Sequence, residues 1–453
     1  MDRKPAAGPV PHAMELPDRL PVGRFYDPDF YALEAEHLWS RTWQMACRLE
    51  EIPEPNDFVE YQILDQSVLV VRVDDGEVLA FQNVCRHRGM KLAGGQGRCE
   101  GGFTCSFHGW CYAPDGTNTF VPRAKTFAEH NLQRGDIDLA PVRCETWGGC
   151  AWINLSPDAP PLRDCIEPFA TVQDAWNVEA YRVEWWHAFR VPANWRLAIE
   201  AFIEGYHVLE SHPQLRIPGR FPPRDPTAFD PQSFIDAEIH YLRTMSEGMA
   251  GMMHASDVRI AEGMSDIELP GQYELARATW DRTFNDEVVR QHREAGHVMP
   301  DLNELDENGL NFTMFHCFPN FLILPMYSSA SSYRFRPLGP EETLWEVWSL
   351  TRYPDGEVRP KPEPPEVWAH DDPRVPPIPT QDLSNLPRQQ LGLHNASVEY
   401  LRLSEELEGG IANFEQTVDG FVAGRSYDEL LPALRAVNVN PIEMPVVDLG
   451  LRP

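Results

Sequence analysis

The sequence predicts an α+β protein, in which a small antiparallel β domain precedes a larger domain of helices packed on an antiparallel sheet. Three observations support this class. At 453 residues the chain is long for a single core. Strand-like alternation dominates the region before residue 160, and helical periodicity is stronger after it. We therefore expect an N-terminal arm and helix over residues 1–40, a β domain over 41–160 and a helix-and-sheet domain over 161–453.

The first domain is predicted from one helix and a series of short strands. The first twenty residues carry no regular pattern and are expected to form a loose arm. Apolar residues at helical spacing predict a helix over 25–46. Alternating or β-branched runs predict four strands, at 58–64, 67–73, 78–83 and 149–155.

The second domain is predicted to contain longer helices and a second group of strands. Prolines are dense at 213–231 and again at 354–380, which excludes regular helix and central strand there. Helices are predicted at 195–211, within 234–295 and at 395–423. Alternation predicts four strands, at 311–317, 320–326, 331–336 and 342–352.

Charge and composition exclude several classes of function. The net charge of −30 argues against binding to nucleic acid or to anionic membranes. We see no apolar run long enough to span a bilayer and no apolar signal-peptide core near the N-terminus. The nine cysteines show no disulfide pattern, so a reducing, cytoplasmic setting is expected.

Two short Cys-His pairs carry the strongest functional signal. The first is C-R-H, with Cys85 and His87, and the second is C-S-F-H, with Cys105 and His108. Each pair supplies one thiolate and one imidazole, and a Rieske [2Fe–2S] cluster needs two of each because Cys bind one iron and His the other. A structural zinc site is the main alternative, but such sites more often keep like ligands together.

A second group of metal-binding residue types lies in the predicted helix over 195–211. Glu200, Glu204 and His207 fall on one face of that helix, and Pro213 should end the helix so that His212 turns back toward His207. Two imidazoles and one carboxylate form the facial triad of non-haem Fe(II) oxygenases. The carboxylate can come from Glu200, Glu204 or a distant residue such as Asp382.

By itself, the H-x4-H spacing is weak evidence for a metal site, because paired histidines are more often structural. The upstream Cys-His motif strengthens the redox interpretation, since it places an electron donor in the same chain. The segments around both motifs also resemble those of one known family. These segments are N-V-C-R-H-R-G at 83–89, C-S-F-H-G-W at 105–110, N-W-R-L-A-I-E-A-F-I-E-G-Y-H-V-L-E-S-H at 194–212, F-P-N at 318–320 and D-L-S-N at 382–385.

Over nearly its whole length the chain resembles the catalytic α subunit of Rieske non-haem iron oxygenases, also called aromatic-ring-hydroxylating oxygenases. The resemblance implies a helix-grip, START-like catalytic domain, with His207, His212 and Asp382 as the ligands of the mononuclear Fe(II). It also implies that Glu204 bridges this iron site to a cluster histidine of a neighbouring subunit, where the family more often has Asp. Ala201 stands where Asn is frequent. A ring of three α subunits, or α3β3, follows from the resemblance.

The resemblance implies a terminal oxygenase that receives electrons from a reductase, with or without a ferredoxin, and uses O2. We expect hydroxylation or dihydroxylation of an apolar aromatic or alicyclic substrate. The first alternative is O- or N-demethylation, including quaternary ammonium substrates, for which an aromatic cage would bind the cation. An electron carrier without oxygenase activity and a zinc protein without redox activity are the others.

Three further features have both a functional and a structural interpretation. Arg86, Arg88, Lys91 and Arg98 form a basic island in an acidic chain, which would either steer an acidic ferredoxin or hold the ligand loops. Methionines cluster in the region after residue 240 and suit either an adaptable apolar pocket or ordinary core packing. The members of this cluster are Met245, Met249, Met252, Met253 and Met264. Trp345 and Trp348, on a predicted strand, likewise face either a pocket or the core.

Overall fold

A computed structural model describes residues 10–74, 76–354, 356–439 and 445–450. It contains two large sheets, and most buried apolar side chains form one continuous core that extends across both of them. A smaller core lies under the two Cys-His loops. Among the described residues, no helix is both long and apolar enough to cross a bilayer. None of the nine cysteines, all of which lie in the described part of the chain, is paired in a disulfide.

The described part of the N-terminal region is docked on the protein, so the prediction of a loose arm is wrong for residues 10–20; residues 1–9 lie outside the described part. Strand β1 (Arg19–Pro21) pairs antiparallel with β18 (Tyr400–Arg402). Helix α1 (Pro28–Leu33) continues into a π-helical turn over Glu34–Trp39. The helix predicted over 25–46 therefore ends too late. The helical region ends at Trp39, whose carbonyl accepts from the side-chain amide of Gln44, and strand β2 begins at Gln44.

The first sheet has seven antiparallel strands in the spatial order β2-β11-β10-β5-β4-β3-β6. All four strands predicted in this region are present with ends within one residue, whereas β2, β6 and β10 were not predicted. The strands are β2 (Gln44–Arg48), β3 (Asp57–Ile63), β4 (Gln66–Arg72), β5 (Val78–Gln82), β6 (Gln96–Arg98), β10 (Pro141–Trp147) and β11 (Cys150–Asn154). A separate small sheet contains β7 (Phe103–Thr104), β8 (Cys111–Tyr112) and β9 (Asn118–Phe120).

The second sheet has six strands in the order β13-β14-β15-β16-β12-β17, antiparallel except for the parallel pair β12–β17. The four predicted strands correspond to β13–β16. Strand β12 was missed because its alternation is interrupted, by a β-bulge between Val183 and Trp185 and by the consecutive aromatic residues Trp185 and Trp186. The strands are β12 (Tyr181–Val191), β13 (Phe315–Cys317), β14 (Phe321–Met326), β15 (Ser329–Gly339), β16 (Glu342–Arg352) and β17 (Val367–Ala369).

Helices surround the second sheet, and several differ from the prediction. The predicted helical region 234–295 is confirmed and contains three helices. The helix predicted over 395–423 is wrong in its first half, and the helix that begins at Pro377 was missed because prolines crowd its first turn, where they are tolerated. The helices after α1 are α2 (Leu162–Ile166), α3 (Phe169–Ala175), α4 (Trp195–Glu200), α5 (Val208–Ser211), α6 (Pro231–Gly248), α7 (Ala255–Gly263), α8 (Tyr273–Glu294), α9 (Leu302–Glu307), α10 (Pro377–Leu393), α11 (Gly409–Val422) and α12 (Tyr427–Val437).

A buried arginine joins the two large sheets. Arg334 of β15 donates to the carbonyl oxygens of Met45 and Ala46 in β2, at 2.9 and 2.6 Å. Its guanidinium group also pairs with Glu346 of β16 at 2.7 Å. Because Glu346 compensates the charge of Arg334 within the second sheet, the remaining N–H donors of Arg334 can hold β2, the edge strand of the first sheet, in a fixed position.

Candidate metal centres

The two Cys-His loops have the same backbone geometry. In the first loop, Cys85 N–H donates to the Met90 carbonyl at 2.7 Å, and Gly89 N–H donates back to the Cys85 carbonyl at 3.0 Å. In the second, the corresponding bonds from Cys105 to Trp110 and from Gly109 to Cys105 measure 2.8 and 2.9 Å. Both glycines have φ above +70°, which a side chain would strain. Each loop therefore turns its Cys and His toward the same space.

The four side chains of these loops converge. Cys85 and Cys105 are each 2% exposed, and the His87 and His108 rings lie 4.6 Å apart between centroids. His87 also stacks on Trp110, with the rings parallel and 5.1 Å apart. Its Nδ1 is buried and has no hydrogen-bond partner among the described residues, as expected of a ring nitrogen that binds a metal ion. The donor set and this orphan nitrogen fit a [2Fe–2S] cluster.

The surroundings of the sulfur atoms favour thiolates. Burial by itself raises the pKa of the Cys105 thiol, but the backbone N–H groups of Phe107 and His108 and the neighbouring Cys85 outweigh burial and lower it. Burial, together with the charges of His108 and Arg88, lowers the pKa of His87 and keeps its ring neutral. A thiolate and a neutral imidazole are the forms that bind iron.

Tyr112 is a contact of the cluster loops that the sequence analysis did not identify. Its hydroxyl oxygen lies 3.3 Å from the Cys85 sulfur and accepts a hydrogen bond from Arg86 N–H at 3.0 Å. Because burial raises the pKa of Tyr112, its hydroxyl keeps a proton that can be donated to the sulfur. The signal in the sequence was the C-Y pair directly after the second loop, which by itself has no specific meaning.

The second group of candidate ligands is formed by His207, His212 and Asp382. One ligand atom from each lies within 4.8 Å of the others. The Asp382 carboxylate is 3.2 Å from His212 Nε2 and 3.7 Å from His207 Nε2. Of the carboxylates considered from the sequence, the distant one thus completes the group, and Glu200 and Glu204 are not members of it.

The backbone that presents the two histidines differs from the continuous helix predicted over 195–211. Helix α4 ends at Glu200, and α5 begins only after His207, so the argument that placed three residues on one helix face is wrong. The break is held by Glu204, whose Oε2 accepts from His207 N–H at 3.0 Å. At the other end the prediction is confirmed, because α5 ends at Ser211 and His212, just before Pro213, is not helical.

Both ring Nδ1 atoms are occupied by hydrogen-bond partners. His207 Nδ1 lies 2.5 Å from Glu204 Oε1, and His212 Nδ1 lies 2.6 Å from Gln381 Oε1. Both partners are acceptors, so Nδ1 carries the proton and the lone pair of Nε2 points at Asp382. The sequence analysis anticipated the contact with Glu204 but did not identify Gln381.

The charge balance of this group also fits a cation. Burial by itself would lower the pKa of His212, but hydrogen bonds with Asp382 and Gln381 outweigh burial and raise it. The position between the two imidazole rings and the Asp382 carboxylate thus favours a positive charge, such as a proton on His212 Nε2. A divalent cation held by two neutral imidazoles and a carboxylate would occupy the same position with greater charge.

A cavity of about 300 Å³ opens beside this group. Its wall includes His207, Asp382 and Glu204, together with Glu200 and Ala201 at the end of α4. Phe202, next in the chain, faces away into an aromatic cluster, with its ring centroid 4.9 Å from that of Tyr333 and 5.3 Å from that of Trp345. The cavity therefore borders the ligand group on its polar side.

The remaining features singled out from the sequence are largely structural. Trp345 and Trp348 are both buried in the core, on opposite faces of the sheet. Met249 and Met252 are core residues as well, whereas Met245 and Met253 border another cavity of about 330 Å³. Met264 is partly buried against the core.

Each residue of the basic island has a local partner. Lys91 forms an ion pair with Glu60 at 2.5 Å, and Arg98 one with Glu100 at 3.5 Å. Arg86 donates to the Asp136 carbonyl at 3.0 Å, and the Arg88 guanidinium lies over the Phe107 ring. Holding the ligand loops thus accounts for these contacts, and a docking role stays a prediction.

Comparison with known proteins defines the class. A model of the catalytic domain of ring-hydroxylating alpha subunits matches residues 178–424, more than half of the chain, and a Rieske [2Fe-2S] domain model matches residues 42–138. The chain therefore belongs to the family of ring-hydroxylating alpha subunits. Within it, the carnitine monooxygenase oxygenase subunit of Escherichia coli K12 is 31% identical over 193 residues, which are 42% of this chain and 51% of that protein.

Other relatives differ in the reactions they are named for. The glycine betaine monooxygenase oxygenase subunit of Pseudomonas aeruginosa PAO1 is 31% identical over 196 residues, 43% of this chain and 45% of that protein. The biphenyl 2,3-dioxygenase subunit alpha of Rhodococcus jostii RHA1 is 30% identical over 198 residues, 43% of each chain. The chain thus aligns with about half the length of these relatives.

Solved structures extend the likeness to the whole fold. The quaternary ammonium Rieske monooxygenase CntA in complex with L-carnitine matches with a TM-score of 0.60 at 16% identity, covering 92% of this chain and 99% of that one. A naphthalene 1,2-dioxygenase variant bound to phenanthrene matches with a TM-score of 0.65 at 18% identity, covering 94% and 97%. At these identities the likeness shows the shared fold alone.

Proposed function

We propose that this chain is the oxygenase component of a Rieske oxygenase system that uses O2 and electrons from a separate reductase, with or without a ferredoxin. The observation that carries the proposal is the convergence of His207, His212 and Asp382 beside a cavity. Three protein ligands leave coordination positions free, as O2-activating Fe(II) sites require. The Rieske domain in the same chain supplies the matching electron donor.

Each metal group would be held by its own residues. Cys85 and Cys105 would bind one iron of the cluster, and His87 and His108 the other; the Nε2 atoms of His207 and His212 and one oxygen of Asp382 would bind the Fe(II) ion. When bound, the [2Fe–2S] cluster supplies single electrons and the Fe(II) ion activates O2.

Glu204 would have two tasks in this arrangement. It holds the His207 ring through Nδ1, which fixes the tautomer and the direction of Nε2. It also lines a cavity, while His108 is exposed on the Rieske domain. In a ring of three chains, or in α3β3, His108 of one copy would approach Glu204 of the next. Glu is one methylene longer than the Asp frequent in the family, and the longer side chain spans a wider gap.

For the substrate we propose a quaternary ammonium compound rather than the apolar aromatic compound expected from the sequence. Support comes from relatives named for carnitine and glycine betaine. Hydroxylation of a carbon next to the nitrogen consumes O2, two electrons and two protons and yields one water. The C–N bond then breaks with its electron pair left on nitrogen, and the hydroxyl group loses its proton as the hydroxylated carbon becomes a carbonyl.

Hydroxylation of an apolar aromatic substrate is the second candidate. It is favoured by relatives that include biphenyl 2,3-dioxygenase, and by apolar residues in the cavity wall such as Leu197 and Ile411. An aromatic ring would pack on such side chains, whereas a cation would bind to the face of an aromatic ring.

The first experiment measures iron, zinc and the visible spectrum of protein purified without O2. About three irons per chain are expected for an oxygenase, about two for a bare electron carrier, and none for a zinc protein. The same sample, with NADH and a surrogate reductase, is then given L-carnitine, glycine betaine, biphenyl or naphthalene, and O2 uptake and products are followed. Turnover of the ammonium compounds alone supports the proposal, and turnover of the aromatic compounds alone supports the second candidate.

A further inference from the structure

Six charged side chains are buried behind the cavity that borders His207 and Asp382. They comprise four carboxyl groups and two guanidinium groups, and each residue is at most 6% exposed. If all were ionised, the group would carry a net charge of −2 in a place without water. Its members are Arg24, Glu34, Arg196, Glu200, Glu415 and Asp419.

The two guanidinium groups are directed at three of the four carboxyl groups. Arg24 pairs with Glu415 and Asp419, both at 2.7 Å. Arg196 lies 3.5 Å from both Glu415 and Glu34. Among the described residues, no ion pair reaches Glu200. A buried carboxylate without a counter-ion is costly, and the usual outcome is that it keeps a proton.

The contact between Glu200 and Glu415 identifies where that proton lies. Their carboxyl groups are within hydrogen-bonding reach of each other, yet both Oε1 atoms are buried and find no donor in the described part of the chain. A proton between them supplies the missing donor. Burial and Glu415 raise the pKa of Glu200 well above its usual value, whereas Arg196 and Arg24 outweigh burial and lower the pKa of Glu415. The proton therefore belongs to Glu200.

Glu200 also faces the candidate iron site. It is the last residue of α4, and it lines the same cavity as Glu204, His207 and Asp382. Its neighbour Ala201, which stands where the family often has Asn, adds no polar side chain to the cavity wall. A buried acid that borders a cavity on one side and a charge network on the other can release a proton to the cavity and later take up another.

We propose that Glu200 is a neutral carboxylic acid that donates a proton into this cavity while O2 is reduced. In this step the O–H bond of Glu200 breaks, and the proton forms a new O–H bond on an oxygen atom being reduced. The electrons come from the reductase. Glu200 is left as a carboxylate beside Glu415 and takes a proton back from water in the cavity. The donation step rests on the function proposed above, whereas the presence of the proton does not.

The presence of the proton is tested by infrared spectroscopy of the purified protein at about pH 9. Glu34, whose pKa burial raises to about 7, is ionised at that pH. We expect a carbonyl band of a protonated carboxylic acid that shifts in D2O, persists in the control Glu34→Gln, and is absent from Glu200→Gln. Identical spectra of the wild-type protein and Glu200→Gln would overturn the proposal.

Donation is tested by turnover of the same variants. Gln has nearly the shape of a protonated Glu and still donates a hydrogen bond to Glu415, so a purely structural role is preserved in Glu200→Gln. We expect kcat to fall about 100-fold with unchanged iron content and a changed pH profile, and Glu34→Gln to keep its rate. A full rate with an unchanged pH profile in Glu200→Gln would contradict donation. If the wild-type protein turns over no compound, the function proposed above fails, and the infrared band alone decides whether Glu200 carries the proton.

Discussion

The two candidate metal centres are built in opposite ways. The four side chains of the Cys-His loops come from a single stretch between Cys85 and His108, and two similar turns present them. The second group needs Asp382, which is more than 160 residues after His212 and lies on a different helix. Local backbone geometry accounts for the first centre, whereas the second exists only after α5 and α10 have packed together.

The centres also differ in their access to solvent. In the loops, Cys85 and Cys105 are buried but His108 is exposed, so the edge of the first centre is at the surface. In the second centre, His212 is 4% exposed and the open side faces a cavity. Surface exposure suits electron exchange with another protein or copy, and an enclosed position suits a reaction from which water has to be excluded.

The largest expected effect separates the two centres. Asp382→Ala removes the carboxylate that only tertiary structure brings to the second centre, so iron should fall from about three to about two per chain. Turnover should be lost while the visible spectrum of the cluster is unchanged. The exposed Asp371→Ala, on the same segment, is the control and should keep all three irons. A third iron retained in Asp382→Ala would show that Asp382 is not a ligand.

The reciprocal change acts on the loops. Cys105→Ser should abolish the visible spectrum of the cluster and leave about one iron per chain, because the second centre shares no ligand with the first. Cys111→Ser, at a half-buried cysteine just past the second loop, is the matched control. Loss of all iron in Cys105→Ser would mean that the two centres do not form independently.

A smaller effect is expected from the residues that orient ligands. Gln381→Leu removes the acceptor of His212 Nδ1, and Fe(II) affinity should fall about 10- to 100-fold. Gln214 hydrogen-bonds Gln381 and not the histidine, so Gln214→Leu should change the affinity much less. Equal affinities in the two variants, measured by Fe(II) titration of the metal-free protein, would argue that packing alone orients His212.

The smallest effect concerns the loop centre. Tyr112→Phe removes the hydroxyl 3.3 Å from the Cys85 sulfur, and the reduction potential should fall by about 40 mV, the equivalent of about 1 kcal/mol for one hydrogen bond and one electron. Tyr61→Phe, whose hydroxyl contacts Gln44 instead, should leave the potential unchanged. A potential that stays constant in Tyr112→Phe would mean that this hydroxyl does not donate to the sulfur.

Much of the first sheet was predictable because its strands alternate or are β-branched, and four of them have ends within one residue of the prediction. Strand β12 and helix α10 were not predictable in this way. A β-bulge and consecutive aromatic residues interrupt the alternation of β12, and prolines at the start of α10 resemble the composition of a loop. The helix that carries His207 was predicted as continuous, because its periodicity does not reveal that α4 ends at Glu200 and that the Glu204 side chain accepts from His207 N–H before α5 begins.

The donor atoms and the two turns that hold Cys85, His87, Cys105 and His108 follow from the sequence alone, because ligands a few residues apart are positioned by their own backbone. The departure of His212 from the helix follows as well, since the following Pro213 disfavours helical geometry there. Three features become visible only in the folded chain: which carboxylate joins the two histidines, which partners hold their Nδ1 atoms, and the contact of Glu200 with Glu415. These contacts join segments far apart in the chain, and their distances depend on the packing of whole elements.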